Sequence, residues 1–187
     1  MRNNWLEPVD RIESPNQSDR SADFPVDLLV IHNISLPPGE YGTGCIDQLF
    51  CNRLDAKRHS SFQELAKLRV SAHLLIDRLG RLTQFVPFNR KAWHAGNSSF
   101  HDRENCNDFS IGIELEGTDF QEFTDNQYLN LDIVSRLLMR EYPMISIDRI
   151  VGHCDIAPGR KTDPGPFFDW RRLRQGLLQP QLEEHYE

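Results

Sequence analysis

The apolar run VDLLVIHN, residues 26–33, is the feature that most constrains the fold. It is rich in branched residues and lies between Pro25 and the turn-forming stretch SLPPGEYGTG. Successive side chains of a strand point to opposite faces, so a run that is apolar on both faces predicts a strand buried on both sides. The run therefore indicates the centre of a covered β-sheet.

Four further segments predict strands. Residues 70–77 and 81–88 predict a hairpin that turns at Gly80. DRIVGH (148–153) predicts a short strand. FSIGIELEG (109–117) alternates apolar and small or polar residues, which predicts a strand with one apolar face. The residues expected on that face are Phe109, Ile111, Ile113 and Leu115.

Four segments predict helices. The clearest is 124–143, where Thr124 and Gln127 form a capping box and Pro143 ends the helix. The shorter candidates are 45–54, 60–68 with Ser60 or Ser61 as N-cap, and 167–178. Helices and strands mixed in this way predict an α/β fold, with a central mixed sheet flanked by helices, although the pattern does not determine the strand order.

The length of 187 residues suits a single domain with one core. Residues 1–25 carry charges and prolines and are interpreted as an irregular lead-in. Residues 26–178 are interpreted as the domain and 179–187 as a polar tail. No internal repeat or low-complexity tract is present.

The formal net charge of −7 argues against a general nucleic-acid binder and against an anionic membrane surface as partner. The first 25 residues lack the apolar stretch of a signal peptide, and the longest apolar runs are too short to cross a bilayer. We therefore expect a cytoplasmic protein, a monomer by default. The four cysteines form no CxxC pair, so we expect free thiols rather than a zinc ribbon.

GHCDIAPGRKTDPGP, residues 152–166, concentrates metal-ligating and charged groups between glycines and prolines. The breakers predict a shaped loop, neither helix nor strand. His153 opens this loop after one predicted strand, and His32 closes another. Two imidazoles and one carboxylate make a catalytic zinc site. From spacing alone the carboxylate is Asp155 or Asp163, with Cys154 a weaker alternative ligand.

Other polar groups are also candidates for the site. Glu114 and Glu116 interrupt an apolar strand, where each is either a residue of a solvated face or an acid/base beside a metal-bound water. Lys161 is either a solvated loop residue or a positive charge for an oxyanion. Trp93 and His94 lie in a loop without apolar periodicity. His73, inside VSAHLLI, is interpreted as a hydrogen-bonded core histidine.

Five motifs in order carry a family resemblance: VIHNISLPPG, RVSAHLLIDRLG, AWHAG, CNDFSIGIELEGTD and GHCDIAPGRKTDPGP. Together they resemble the type 2 zinc amidases, the family that includes phage T7 lysozyme-type amidases and peptidoglycan recognition proteins. The resemblance covers roughly residues 5–172. It departs from the family pattern mainly at 45–62 and 97–105, where Ser61 and Asn105 replace an aromatic residue or an arginine of some relatives.

The resemblance implies a role for each matching residue. It implies one zinc ion per chain, held by His32, His153 and Asp163. It implies a catalytic glutamate at Glu114 and a catalytic lysine at Lys161. It implies that the groove for the substrate is lined by Asn33, Arg69, Trp93 and His94.

The expected function is hydrolysis of the amide between 1,6-anhydro-N-acetylmuramic acid and L-alanine during cytoplasmic peptidoglycan recycling, with an indirect effect on β-lactamase induction. The expected partner is a small muropeptide. One alternative is an amidase acting on intact peptidoglycan, against which the missing signal peptide argues. The other is a non-catalytic muropeptide-binding module, against which the full ligand set argues.

Overall fold

A computed structural model of the chain describes residues 1–21 and 23–179. The main strands are β1 (Asp10–Arg11), β3 (Leu28–Ile34), β4 (Leu74–Ile76), β5 (Leu82–Gln84), β9 (Ser110–Glu116) and β10 (Ile150–Gly152). They form one sheet in the order β1-β5-β4-β9-β3-β10. β9, β3 and β10 run parallel, as do β4 and β9, whereas β4 and β5 pair antiparallel. The predicted hairpin and the mixed central sheet are confirmed.

Smaller elements surround this sheet. Two short antiparallel pairs join β2 (Gln17–Asp19) to β6 (Arg90–Ala92) and β7 (Ser99–Phe100) to β8 (Arg103–Glu104). The helices are α1 (Cys45–Phe50), α2 (Phe62–Leu65), α3 (Asp125–Glu141), α4 (His153–Ile156) and α5 (Trp170–Leu178). Within residues 1–21 and 23–179, no helix has the length and apolarity needed to cross a membrane.

The capping predictions have mixed outcomes. Thr124 accepts a hydrogen bond from the Gln127 amide, and Gln127 accepts one from the Thr124 amide, which confirms the capping box of α3. Ser61 occupies the N-cap position of α2, but its side chain makes no capping hydrogen bond. The start of α2 therefore depends on packing, and Phe62 at its first position is fully buried.

The two faces of the sheet differ in character. Helices α3 and α5 cover one face, where they pack on alternate residues of β3 and β9 that include Leu29, Ile31, Ile111, Ile113 and Leu115. The opposite face carries Leu28 and Val30, and further along β3 it carries His32. Phe109 was expected with Ile111 but packs with Leu28 and Val30 instead. Its ψ of 9° ends a 3₁₀ turn, so the alternation begins only at Ser110.

The predicted irregular lead-in contains regular structure. β1 pairs with β5 and β2 with β6, and Arg20 is inserted between neighbouring loops. The Arg20 guanidinium donates hydrogen bonds to the carbonyls of Phe88, Asn107, Asp108 and Ser110. Burial lowers the pKa of Arg20 to about 10, so it stays charged at neutral pH. The proposed polar tail, apart from Gln179, lies outside the described residues.

Replacing Arg20 tests whether the lead-in holds these loops. We expect Arg20→Met to lower the free energy of unfolding by about 2–4 kcal/mol, because several buried carbonyls lose their donor. The measurement is urea unfolding followed by circular dichroism. Arg171→Met, at an exposed position of α5, is the control. Equal stability of both variants would contradict a structural role for the lead-in.

Candidate active site

Strand register brings the polar residues of the strand ends together. His32 of β3 lies opposite Glu114 of β9. Gly152 of β10 lies opposite Ile31, so the next residue, His153, follows beside His32. All three polar residues lie toward the carboxyl ends of parallel strands, which is where open α/β sheets place their ligand sites.

The loop after β10 supplies the third member of this group. The prediction that it contains no helix is wrong, because His153–Ile156 form one helical turn, α4. The chain then reverses, and the Cys154 amide donates a hydrogen bond to the Asp163 carbonyl at 3.0 Å. This bond brings Asp163 back beside His153, as the breaker-rich sequence allows.

Three side-chain atoms form a small triangle. His32 Nδ1 lies 3.0 Å from His153 Nδ1 and 3.0 Å from Asp163 Oδ2, and His153 Nδ1 lies 3.1 Å from the same oxygen. Both histidines are buried, with 1% and 3% of their surface exposed. Among residues 1–21 and 23–179, these three make the group that could hold a metal ion.

The hydrogen-bond partners of His153 determine its tautomer. Its Nε2 lies 3.0 Å from the Ala95 carbonyl, which can only accept, and 3.4 Å from the Arg160 guanidinium, which can only donate. The Ala95 contact is the shorter one, and Arg160 donates to the same carbonyl at 2.6 Å, so Nε2 carries the hydrogen. In the neutral ring, Nδ1 then presents a bare lone pair to the centre of the triangle.

The tautomer of His32 follows in the same way from its partner His94 and from Ser110, which contacts His94. Ser110 Oγ donates to the Cys106 carbonyl and so accepts from His94 Nε2 at 3.1 Å. His94 Nδ1 is then the acceptor for His32 Nε2 at 2.9 Å. His32 therefore also presents a bare Nδ1 to the triangle.

The charge states of the three side chains also suit a metal ion. Burial lowers the pKa of His32 to about 4, so the ring is neutral at physiological pH. Asp163 supplies a carboxylate oxygen, Oδ2, that lies 3.0 and 3.1 Å from the two Nδ1 atoms. Two neutral imidazoles and one carboxylate facing one point match a mononuclear metal site, so the residues fit a divalent cation.

Asp155 and Cys154 lie outside this triangle. Asp155 is exposed, and its Oδ2 accepts a hydrogen bond from the Gly152 amide at 2.7 Å. Residues two apart in an extended chain share a side, but His153 and Asp155 belong to a helical turn, where they do not. The structure therefore brings Asp163 to the two histidines, which spacing alone left open.

Glu114 lies beside the triangle and is 9% exposed. Burial raises its pKa well above the ordinary value, with the charge of Asp163 acting in the same direction and that of Lys161 opposing it. Its Oε2 accepts no hydrogen bond from the part of the chain described. Glu114 is therefore a carboxyl group that is poised to hold or release a proton.

Glu116 and His73 have structural contacts. Glu116 is buried and accepts hydrogen bonds from the amides of Gly42 and Arg78. His73 accepts from the Gly112 amide and donates to the Arg90 carbonyl, which confirms the predicted core histidine. Glu114 and Glu116 are therefore both buried, and neither lies on a solvated face of the sheet.

A cavity of about 450 Å³ lies next to the triangle and has one of its three residues, Asp163, in its wall. Its wall includes Asn33, Lys161 and Asp163 together with the loop 117–120. Lys161 is exposed, and its charge acts on the pKa of both His32 and Glu114.

The other three residues expected in the substrate groove do not line this cavity. Arg69 is exposed and bonds only to the neighbouring Leu68 carbonyl within the described residues. Trp93 is half-buried, and its Nε1 donates to Ser18. His94 is buried behind His32.

The sequence did not indicate roles for Ser110 and Asn107. Both contact residues 94–95, which in turn contact the two histidines of the triangle. Asn107 Oδ1 accepts from the amides of both His94 and Ala95. Both residues lie in the motif CNDFSIGIELEGTD, where polar residues precede or open a buried strand. A polar residue just before or at the start of a buried strand indicates a hydrogen-bonding role, and this pattern could have identified both residues.

The fold and the site together match a class of protein, the metal-dependent hydrolases whose candidate mononuclear site lies at the carboxyl edge of a mixed sheet with a buried glutamic acid beside it. The particular family follows from comparison with known proteins. The model of the N-acetylmuramoyl-L-alanine amidase family matches residues 22–166, and the chain belongs to this family.

Individual relatives are similar over nearly the whole chain. The 1,6-anhydro-N-acetylmuramyl-L-alanine amidase AmpD of Salmonella typhimurium strain SL1344 is 56% identical over 170 residues, which cover 91% of this chain and 90% of that protein. A crystal structure of a selenomethionine derivative of AmpD has a TM-score of 0.92 at 52% identity and covers 95% of this chain and 98% of its own.

A more distant structure contains a ligand. It is the Escherichia coli amidase AmiD in complex with the substrate anhydro-N-acetylmuramic acid-L-Ala-D-γ-Glu-L-Lys. Its TM-score is 0.61 at 32% identity, covering 85% of this chain and 60% of the AmiD chain.

Two aspartate variants test the composition of the triangle. We expect Asp163→Ala to lose stoichiometric zinc binding, because two histidines alone make a weak site. Asp155→Ala should bind zinc like the unchanged protein, since its carboxylate caps a turn. The measurement is metal content after dialysis against a chelating resin. Loss of zinc from Asp155→Ala alone would contradict the assignment.

Proposed function

We propose that this protein hydrolyses the amide bond between the lactyl group of 1,6-anhydro-N-acetylmuramic acid and L-alanine in free anhydromuropeptides, with one zinc ion per chain. The observation that carries the proposal is the triangle of His32, His153 and Asp163, in which hydrogen bonding leaves both imidazole Nδ1 atoms bare. The similarity to the 1,6-anhydro-N-acetylmuramyl-L-alanine amidase AmpD indicates which substrate is cleaved.

In this proposal His32, His153 and Asp163 hold the zinc ion. When bound, zinc acts as a Lewis acid and lowers the pKa of a coordinated water to about 7. One carboxylate among three ligands leaves the site with a net positive charge. The close approach of the three ligand atoms, 3.0–3.1 Å apart, supports this ligand set.

Glu114 would be the proton carrier. Its carboxyl group is buried beside the ligands, and its Oε2 has no hydrogen-bond donor among the described residues. As a carboxylate it would take the proton of the attacking water at this oxygen, and as an acid it would return that proton to the leaving amine of L-alanine. A pKa raised above that of an ordinary carboxyl group suits a residue that must both accept and return a proton.

Lys161 would stabilise the negative charge that develops on the lactyl carbonyl oxygen. Its side chain is exposed at the cavity wall and close enough to affect the pKa of His32 and Glu114. A donor aimed at a developing oxyanion contributes more to the transition state than to the ground state.

The cavity supports a small muropeptide as substrate. Asn33 lies in its wall, where its side-chain amide donates to Asp119 at 2.7 Å, and either group is placed to contact a bound substrate. The AmiD complex, which holds an anhydromuramyl tripeptide, supports the same ligand class. Substrate roles for Arg69 and Trp93 stay predictions, as do a monomeric state and a cytoplasmic location.

The proposal is tested with anhydro-N-acetylmuramic acid-L-Ala-D-γ-Glu-L-Lys as substrate. We expect release of the free tripeptide, detected by mass spectrometry, with loss of activity in a chelator and recovery on adding zinc. Intact sacculi are the comparison substrate and should be cut far more slowly. No tripeptide release, or release that is indifferent to complete metal removal, would overturn the proposal. Equal cleavage of sacculi would favour the intact-wall amidase instead.

Glu114→Gln tests the proton carrier. We expect it to bind zinc normally and to lose turnover by about 10²–10⁴-fold, since the amide cannot take a proton. Glu116→Gln, two residues along the same strand face, is the matched control and should lower stability while keeping turnover. Turnover of Glu114→Gln at the level of this control would rule out the acid/base role.

A further inference from the structure

We propose that His94 is a positioning residue for the metal site: its Nδ1 accepts the Nε2 hydrogen of His32 and so aims the bare Nδ1 of His32 at the metal. The inference rests on the proposed function only in taking zinc as the metal. It differs from the expectation that His94 lines the substrate groove.

The location of His94 is the first observation. Its side chain is buried, and it lies against the ring of His32 on the side away from Asp163. The two rings meet edge to face, with centroids 5.0 Å apart. A residue so enclosed cannot reach a substrate in the open cavity, but it touches a metal ligand directly.

The direction of the hydrogen bonds is the second observation. The Ser110 hydroxyl donates to the Cys106 carbonyl at 2.6 Å, so its oxygen is free to accept from His94 Nε2. His94 then has only Nδ1 left as an acceptor. A neutral His32 satisfies it through Nε2–H, and this selects the tautomer that leaves Nδ1 for the metal.

The backbone around His94 is built to hold this arrangement. A side chain at Gly112 is excluded, because a Cβ there would lie 2.5 Å from His94 Cγ. The ring of His94 therefore occupies space that β9 leaves open with a glycine, a common reason for glycine inside a strand. Asn107 Oδ1 fixes the adjoining backbone by accepting from the amides of His94 and Ala95 at 3.1 and 2.8 Å.

Residue 95 serves the second histidine in the same way. The Ala95 carbonyl accepts the Nε2 hydrogen of His153 at 3.0 Å. Two consecutive residues therefore orient both metal-binding imidazoles, one through a side chain and one through its backbone. Partners of this kind, which hold the ligand's second nitrogen, set ring orientation and basicity, and their loss costs about 10–100-fold in metal affinity.

Two variants that both branch at Cγ separate this role from packing. Leu has no polar atom, whereas Asn keeps an acceptor oxygen near the position of His94 Nδ1. We expect His94→Leu to weaken zinc binding by about 10–100-fold and His94→Asn to retain most of the affinity. Affinity is measured by competition with a chromogenic chelator, and thermal unfolding of the metal-free proteins reports on packing alone.

The outcomes decide between the two roles. Zinc affinity of His94→Leu equal to that of the unchanged protein overturns the proposal. Equal weakening in both variants also overturns it, since the acceptor would then make no difference. If His94→Leu fails to fold, nitrogen NMR of the imidazole rings in the unchanged zinc-loaded protein replaces it. Hydrogens on Nε2 of both His32 and His94 are expected there, and a hydrogen on Nδ1 of His94 overturns the proposal.

These results are separable from the proposed reaction. Failure of the reaction would appear as absent peptide release by the unchanged protein, whatever the ranking of zinc affinities among the variants. Failure of the inference would appear as unaltered zinc affinity in His94→Leu, whatever the activity of the unchanged protein.

Discussion

The parallel register of β9, β3 and β10 is the constraint on which the site depends. Apolar residues of β3 and β9 are buried against α3 and α5 on one face, and this burial determines which residues occupy the other face. A slip of one residue in β3 would exchange His32 with its apolar neighbours, at the cost of exposing or misplacing the whole apolar set. Hydrophobic burial on one side of the sheet therefore positions the polar chemistry on the other.

The buried histidines are compatible with folding because each has partners. A polar group removed from water destabilises the fold unless it is hydrogen-bonded, so the rings of His32, His73 and His94 need a connected set of donors and acceptors. Ser110, Asn107 and nearby backbone groups supply it. Arg20 in turn donates to the carbonyls of Asn107 and Ser110, so the lead-in stabilises the layer beneath the site.

The loop after β10 shows how one short segment can serve several roles. His153 begins a helical turn, and the Asp163 carbonyl accepts a hydrogen bond from the Cys154 amide, which brings Asp163 back beside His153. Lys161 lies in the segment between them, at the cavity wall. Asp155 caps the turn that makes the return possible. The residue that resembles a ligand by spacing thus supports the structure, and the more distant carboxylate reaches the histidines.

The sequence by itself determined the fold class, most of the helices and strands, and the presence of chemistry at the strand ends, because period, caps and breakers are local properties of a chain. The motifs also determined the family. Spacing left the third ligand open and the family resemblance implied Asp163, which the tertiary structure brings to the two histidines. Only the tertiary structure decided that His94 lies behind His32 and away from the cavity, and that Arg20 joins the lead-in to the neighbouring loops. His32 meets His94, His153 and Asp163 across 62, 121 and 131 residues of sequence. Contacts at such separations follow from strand register and loop return, which no local pattern encodes.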